Sequence, residues 1–311
     1  MRAFDPAPPC APTHTLEADG TLRLPGRQTG TTGCLSPDGT TLSLDLGWGV
    51  IVVDLDAWQQ RAVYRDDATT AVRSPLPQAL CGARHPDAEH LVLLGPDGVR
   101  ARLRVPANAA QGLTPMRVSA HPDALFLWGP RALTRWRCTQ GALVLEATLA
   151  APEREAPGYE LREVVQSPDG ARLYLRTDRD VLAVDALTLT AQRVMLDLDA
   201  YFEHPRAWLD TAQCVAVAAA ETCVYVLLHL KKGWSSRLVA CPLAGGDVRG
   251  LALGDGLLFH TMSPVLPGET MLLGGHFHGT ARVDLRRLSV LEHAPGVGGS
   301  FAWVDVRRAQ A

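Results

Sequence analysis

The sequence predicts an all-β chain assembled from one small repeated unit, and three observations carry that expectation. A four-residue phrase recurs as Ser36-Pro37-Asp38-Gly39, His85-Pro86-Asp87-Ala88, His121-Pro122-Asp123-Ala124 and Ser167-Pro168-Asp169-Gly170, with a blurred copy at Ser263-Pro264. Each copy stands between two short apolar runs. No segment shows the apolar spacing of a long helix. The phrase suits a type I turn, in which Ser bonds locally at the first corner, Pro presets φ at the second and Gly relaxes the exit.

The copies begin 49, 36, 46 and 96 residues apart, so the last step spans two periods. A degenerate copy is therefore expected at Leu209-Asp210-Thr211-Ala212-Gln213, ahead of the apolar run 214–220. Six units then recur at an average step of roughly 45 residues, the length that a four-stranded propeller blade requires.

Taken in order, residues 1–13, with Pro6, Pro8, Pro9 and Pro12, read as a flexible tail, and residues 14–311 as a single β-propeller domain. Thr15-Leu16-Glu17 and Thr21-Leu22-Arg23-Leu24, joined by Ala18-Asp19-Gly20, form a hairpin. The first phrase is followed by strands at 41–46, 50–55 and 61–64. Gly95-Pro96-Asp97-Gly98 is a further turn. The third unit gives strands at 116–120, 125–128, 133–138 and 143–149, and the fourth at 161–166, 171–177, 181–185 and 191–196. The apolar run 214–230 is broken by Glu221-Thr222 and reads as a hairpin. One step past Ser263 the chain runs out near residue 308, so residues 300–306 supply the inner strand of a blade that the N-terminal hairpin completes. The expectation is a seven-bladed propeller with a composite N/C-terminal closing blade; six longer blades are the alternative.

With these residues in view, the chain resembles the WD40-like and YVTN-type β-propeller repeats of bacteria. The resemblance rests on the Ser-Pro-Asp-Gly phrase, the apolar strand behind it, and the endings Val53-Asp54-Leu55, Val184-Asp185-Ala186 and Val283-Asp284-Leu285. It covers residues 14–307 or so, without the Trp-Asp endings and Gly-His starts of eukaryotic WD40 repeats. It implies the fold, and spans scaffolds, periplasmic binding proteins and a few enzymes.

Composition narrows the partners. Forty-seven percent apolar residues in 311 suffice for a packed core. No apolar run reaches the roughly 18 residues of a membrane span, which argues against a membrane partner. The N-terminus lacks the apolar stretch of a secretory signal, so a cytoplasmic location is expected. Seven scattered cysteines (10, 34, 81, 138, 214, 223 and 241) without a Cys-x-x-Cys pair read as core thiols in a reducing compartment, Cys34 and Cys81 falling on inner strands. Thirty basic against 33 acidic residues leave −3, which argues against an extended nucleic-acid surface. The cluster Arg131, Arg135, Trp136 and Arg137 suits base stacking, and is equally explained by one exposed strand face. Lys231 and Lys232 are the only lysines, arginine supplying the remaining basic residues.

Candidate functional residues fall into two groups. His276 and His278, two apart across Phe277, project to one side of a strand, and His260 lies on the inner strand of the same unit. The three are candidate ligands for a divalent metal, the reading of a metal-dependent lyase or hydrolase at the channel; a solvated turn beside glycines accounts for them as well. His85 and His121 replace Ser in the repeated turn. No Gly-x-Ser-x-Gly elbow, P-loop or His-Glu-x-x-His run occurs. The second group lies on the turns between second and third strands: Trp48, Trp128, Arg131, Arg179, His276 and His278. Aromatic and Arg side chains on protruding turns are interaction hot-spot material. The favoured reading is a non-catalytic cytoplasmic scaffold that binds a protein partner through one face of the disc and needs no cofactor. A small-molecule ligand in the central channel, sensed without turnover, is a third reading.

Overall fold

The structure, a computed structural model, describes residues 114–116, 118, 120–121, 124–139, 142–150, 160–202, 212–231, 233–263, 265–266, 268–275 and 278–295. Before residue 114 it describes strand backbone, together with Asp54 and Ala57. The chain divides into two compact units, one of residues 1–127, 134–146 and 304–311, the other of residues 128–133 and 147–303.

The strands assemble in sequence order. β1 (Thr15–Leu16) and β2 (Leu22–Arg23) form a two-stranded antiparallel ladder, the expected hairpin. β3 (Thr32–Leu35), β4 (Thr41–Asp45), β5 (Gly49–Asp54) and β6 (Gln59–Arg65) form the first four-stranded sheet. The second holds β7 (Ala71–Arg73), β8 (Cys81–Arg84), β9 (His90–Gly95) and β10 (Gly98–Arg104). The third holds β11 (Thr114–Met116), β12 (Ala124–Gly129), β13 (Ala132–Thr139) and β14 (Ala142–Ala150). β15 (Glu163–Gln166), β16 (Arg172–Arg176), β17 (Asp180–Asp185) and β18 (Ala191–Asp197) make the fourth sheet, after which α1 (Leu198–Tyr201) adds one helical turn. β19 (Ala212–Ala219), β20 (Cys223–Leu230), β21 (Ser235–Pro242) and β22 (Arg249–Ala252) make the fifth. β23 (Thr261–Met262), β24 (Thr270–Gly275), β25 (Gly279–Asp284) and β26 (Ser289–Ala294) make the sixth. Among the described residues there are thus six four-stranded antiparallel meanders. The inner strand expected at residues 300–306 lies outside the described residues.

The repeated phrase does what its chemistry requires. In the fourth sheet the Gly170 amide closes the turn on the Ser167 carbonyl at 2.9 Å, and Gly170 takes a φ of +71°. The Ser167 amide bonds the Arg172 carbonyl at 2.9 Å while its hydroxyl accepts from the Arg172 amide at 3.0 Å. The blurred copy keeps this clasp: the Ser263 amide bonds the Leu272 carbonyl at 2.9 Å, and its hydroxyl accepts from the Leu272 amide at 3.0 Å. Both serines are buried, so the clasp satisfies polar groups that water does not reach. The Val-Asp endings have an equally local cause. Asp54, Asp185 and Asp284 each accept, through Oδ1, the amide three residues on, at 2.9, 2.8 and 2.9 Å.

Three expectations are corrected. The degenerate copy does not lie at 209–213: residues 212 and 213 belong to β19, and the first turn of the fifth sheet is at Glu221-Thr222, where the Ala220 amide meets the Cys223 carbonyl at 2.9 Å. The His85-Pro86-Asp87-Ala88 phrase falls between the second and third strands of its sheet, one turn later than the other copies. Cys81 is accordingly on a second strand, while Cys34 is on a first strand as expected. In the sequence, residues 74–80 stand between β7 and β8 and begin with another Ser-Pro pair, Ser74-Pro75. Finally, the first strand of the third sheet ends at Met116, where the sequence suggests that it begins.

In the second unit the first three strands of the fifth sheet are buried on both faces. Along β20, Val224, Val226 and Leu228 join one apolar cluster with Tyr174, Val181 and Met195 of the fourth sheet. The alternate residues Cys223, Tyr225 and Leu227 join another with Met271, Leu273 and Val283 of the sixth. A strand that buries both alternating faces has no polar period, which is why residues 214–220 and 223–228 each read as an unbroken apolar run. The three described thiols, Cys214, Cys223 and Cys241, are free and buried. Burial pushes the Cys214 thiol up, and Cys241 to about 12.

Candidate interaction edge and histidine cluster

One joint recurs through the second unit. At the tip of the β12–β13 hairpin the Pro130 carbonyl accepts from the Leu161 amide, at 2.9 Å, just before β15. Between β16 and β17 the Asp178 carbonyl accepts from the Cys214 amide, on β19, at 2.9 Å. Between β20 and β21 the Gly233 carbonyl accepts from the Gly256 amide at 3.3 Å, in the segment that leads to β23. Each second-to-third-strand turn is thus tied to the chain entering the next sheet. Backbone bonds of this kind hold the tips at one edge independently of their side chains.

Side chains reinforce the middle joint. Arg176 is buried; its Nε meets Glu163 Oε2 at 2.9 Å and its Nη1 donates to the Cys214 carbonyl at 2.5 Å. The same Glu163 oxygen accepts from the Val217 amide at 3.2 Å. Asp178 accepts from Gln213 Nε2 at 3.1 Å and from Arg162 Nη2 at 3.1 Å.

The expected contact residues are not equivalent. Arg131 is exposed and Trp128 half-buried, both at the β12–β13 tip. Arg179 does occupy a second-to-third-strand turn, yet it is only 4% exposed and its guanidinium pairs with Asp199 of α1. The Leu198 amide also bonds the Arg179 carbonyl, at 3.0 Å, so α1 folds back over this turn. Arg179 is a residue of the interior and does not present its side chain for contact. Trp48 and His276 lie outside the described residues. Of the cluster proposed for base stacking, Trp136 is buried with its indole N–H on Thr134 Oγ1 at 2.8 Å. Arg135 and Arg137 reach Glu146 at 3.2 and 2.7 Å, so strand packing accounts for that cluster.

Trp234 is an exposed aromatic residue outside the two groups named from the sequence. It lies on the β20–β21 tip with 69% of its surface exposed, at a positive φ of 49°. Lys231, also exposed, precedes it on this turn, and Lys232, the other lysine of the sequence, lies outside the described residues. The Lys-Lys-Gly-Trp string in an arginine-based sequence is the signal that identifies it.

Histidines gather where β23 begins. The His229 Nε2–H donates to the Phe259 carbonyl at 2.6 Å, and its ring meets His260 edge-on at 4.6 Å between centroids. His293 donates through Nε2 to the His278 carbonyl at 2.6 Å, and its ring stands 6.0 Å from Phe259. Burial lowers the His229 pKa, opposed by the bond to the Phe259 carbonyl. Glycines flanking the His276-Phe277-His278 segment admit close backbone: a Cβ at Gly275 would strike the Leu258 carbonyl oxygen, and one at Gly279 the Ala294 carbonyl oxygen. Among the described residues no group of three His, Cys, Asp or Glu side chains is placed to hold a metal ion. His229 and His260 are separated in sequence and meet only across neighbouring sheets, so no spacing in the sequence links them.

Comparison with known proteins bears on the fold. The chain superposes on BamB from Moraxella catarrhalis, a β-propeller protein, with a TM-score of 0.54 at 10% identity, over 86% of this chain and 77% of that one. The fold is of the β-propeller type. At that identity the likeness establishes architecture alone. No protein-family model matches the sequence, and no curated protein matches it.

Proposed function

We propose that this propeller-type chain is a non-catalytic protein-interaction scaffold that engages its partner through the edge carrying the second-to-third-strand turns. The observation that carries the reading is the recurring joint: backbone bonds at Pro130, Asp178 and Gly233 fix the tips while Trp128, Arg131, Lys231 and Trp234 remain wholly or partly exposed there. Aromatic and cationic side chains on a rigid support lose little freedom on binding, the property that hot spots share. Seven blades closed by the N-terminal hairpin and residues 300–306, and a cytoplasmic location, belong to the same proposal. The free thiols Cys214, Cys223 and Cys241 support a reducing surrounding.

The test is affinity capture from native lysate with the wild-type chain and with Trp128→Ala/Arg131→Ala. The expected result is loss of a stoichiometric partner by the variant, with an unchanged circular dichroism spectrum. A partner retained in full by the folded variant would contradict the assignment of this edge.

A further inference from the structure

Four non-glycine residues of the described chain hold a left-handed backbone: Leu189, Trp234, Glu269 and Leu288. Side chains rarely adopt this conformation without compensation. For three of them the compensation is visible. Leu189 is 2% exposed, Leu288 packs against the apolar cluster of the sixth sheet, and Glu269 holds Arg286 Nε and Nη2 at 2.6 and 3.2 Å. Trp234 shows no such return: among the described residues its indole makes no hydrogen bond or ring contact, and it stands mostly in water. Glycine or asparagine would serve the turn better.

Two backbone bonds, both long, nevertheless tie the tip. Leu230 and Ser235 form the last register pair of β20 and β21, leaving residues 231–234 as a four-residue loop. The Trp234 amide donates to the Lys231 carbonyl at 3.4 Å, and Gly233, at φ +90°, is bonded by Gly256. Asp255 lies in the bracing segment, and the two lysines leave the tip with net positive charge. Roughly 150 Å² of aromatic surface is presented to solvent beside that charge.

We infer that the 231–234 tip is a docking element that inserts the Trp234 indole into an apolar pocket of a partner protein whose rim carries carboxylates. The inference rests on the interaction edge proposed above and names its anchor and the chemistry of its partner. Charge complementarity selects the acidic rim, since Lys231 is exposed on the same tip, Lys232 follows it in the sequence, and the exposed Arg131 shares this edge. A protein pocket is favoured over an anionic lipid surface on magnitude. One indole and two lysines supply less hold than a single acyl chain, which is itself a marginal anchor, whereas one enclosed Trp is a sufficient hot spot.

A random dodecapeptide library displayed on phage, selected on the purified full chain, tests this without a known partner. The enriched peptides are then synthesised and titrated, and vesicles of phosphatidylglycerol form a parallel arm. The expected peptides place Asp or Glu around an aromatic or aliphatic residue and bind less tightly as salt rises. Trp234→Asn, which tolerates the left-handed backbone, weakens them at least about 30-fold, and Trp234→Phe restores most of the affinity. Lys231→Gln/Lys232→Gln weakens them about tenfold and flattens the salt dependence. Peptides that are not acidic, that ignore Trp234→Asn, or that fail to enrich would overturn the inference, as would Trp234-dependent binding to the vesicles alone. Peptides indifferent to Trp234 but lost with Trp128→Ala/Arg131→Ala would defeat this inference and leave the interaction edge standing; indifference to both would defeat both.

Discussion

Replacing Arg176 by Met probes the joint on which the interaction edge depends. The guanidinium is buried, bonds Glu163 on β15 and supplies a donor to the Cys214 carbonyl on β19. Methionine fills similar apolar volume and removes both interactions. Leaving a buried carbonyl without its donor costs about 1–3 kcal/mol. The ion pair contributes about 1 kcal/mol, discounted because the Glu163 side chain is 33% exposed. The expected loss is about 3 kcal/mol, read as a lowered urea midpoint. Because the chain has two compact units, amide exchange supplies the local measurement. The Val217 amide, which bonds the same Glu163 oxygen, is expected to exchange faster in the variant. A loss below about 1 kcal/mol with unchanged Val217 protection would refute the claim that Arg176 fastens β19 to the fourth sheet.

Other outcomes follow from single contacts. Gly279→Ala places a methyl against the Ala294 carbonyl oxygen at a positive φ of 76°, and is expected to destabilise by about 3 kcal/mol in chemical denaturation. Asp185→Ala removes the acceptor for the Leu187 and Thr188 amides, a loss of about 1 kcal/mol that a thermal melt resolves. His229 is held below its ordinary value of 6.5 by burial, so the unfolded chain takes up this proton more readily. Stability therefore declines as pH falls through about 6.5 and levels off below the native pKa; His229→Gln is expected to flatten that part of a stability–pH profile.

The repeat was legible where its turn chemistry was explicit. Ser167-Pro168-Asp169-Gly170 located the strands of the fourth sheet to within two residues, because each phrase residue satisfies a local backbone requirement. The same logic failed at the fifth sheet, where Glu221-Thr222 makes an equivalent turn with neither Pro nor Gly. It put Cys81 on a first strand where the second sheet has it on a second, since Ser74-Pro75 and His85-Pro86 both offer a turn in the sequence. At the edge, position in a turn was readable and side-chain fate was not. Arg131 and Arg179 occupy like turns, yet α1, a single helical turn capped by Asp197, covers Arg179 and supplies Asp199 to it. Trp234 stands apart from every copy of the repeated phrase, and only the hairpin register places it at the tip.

The most direct test of the interaction edge is hydroxyl-radical footprinting of the chain alone and with its captured partner. The account predicts protection of Trp128, Arg131 and Trp234 on partner binding, with Leu187 and Leu243, on third-to-fourth-strand turns, labelled equally in both states. Protection of Leu187 and Leu243 with Trp128, Arg131 and Trp234 unchanged would contradict it.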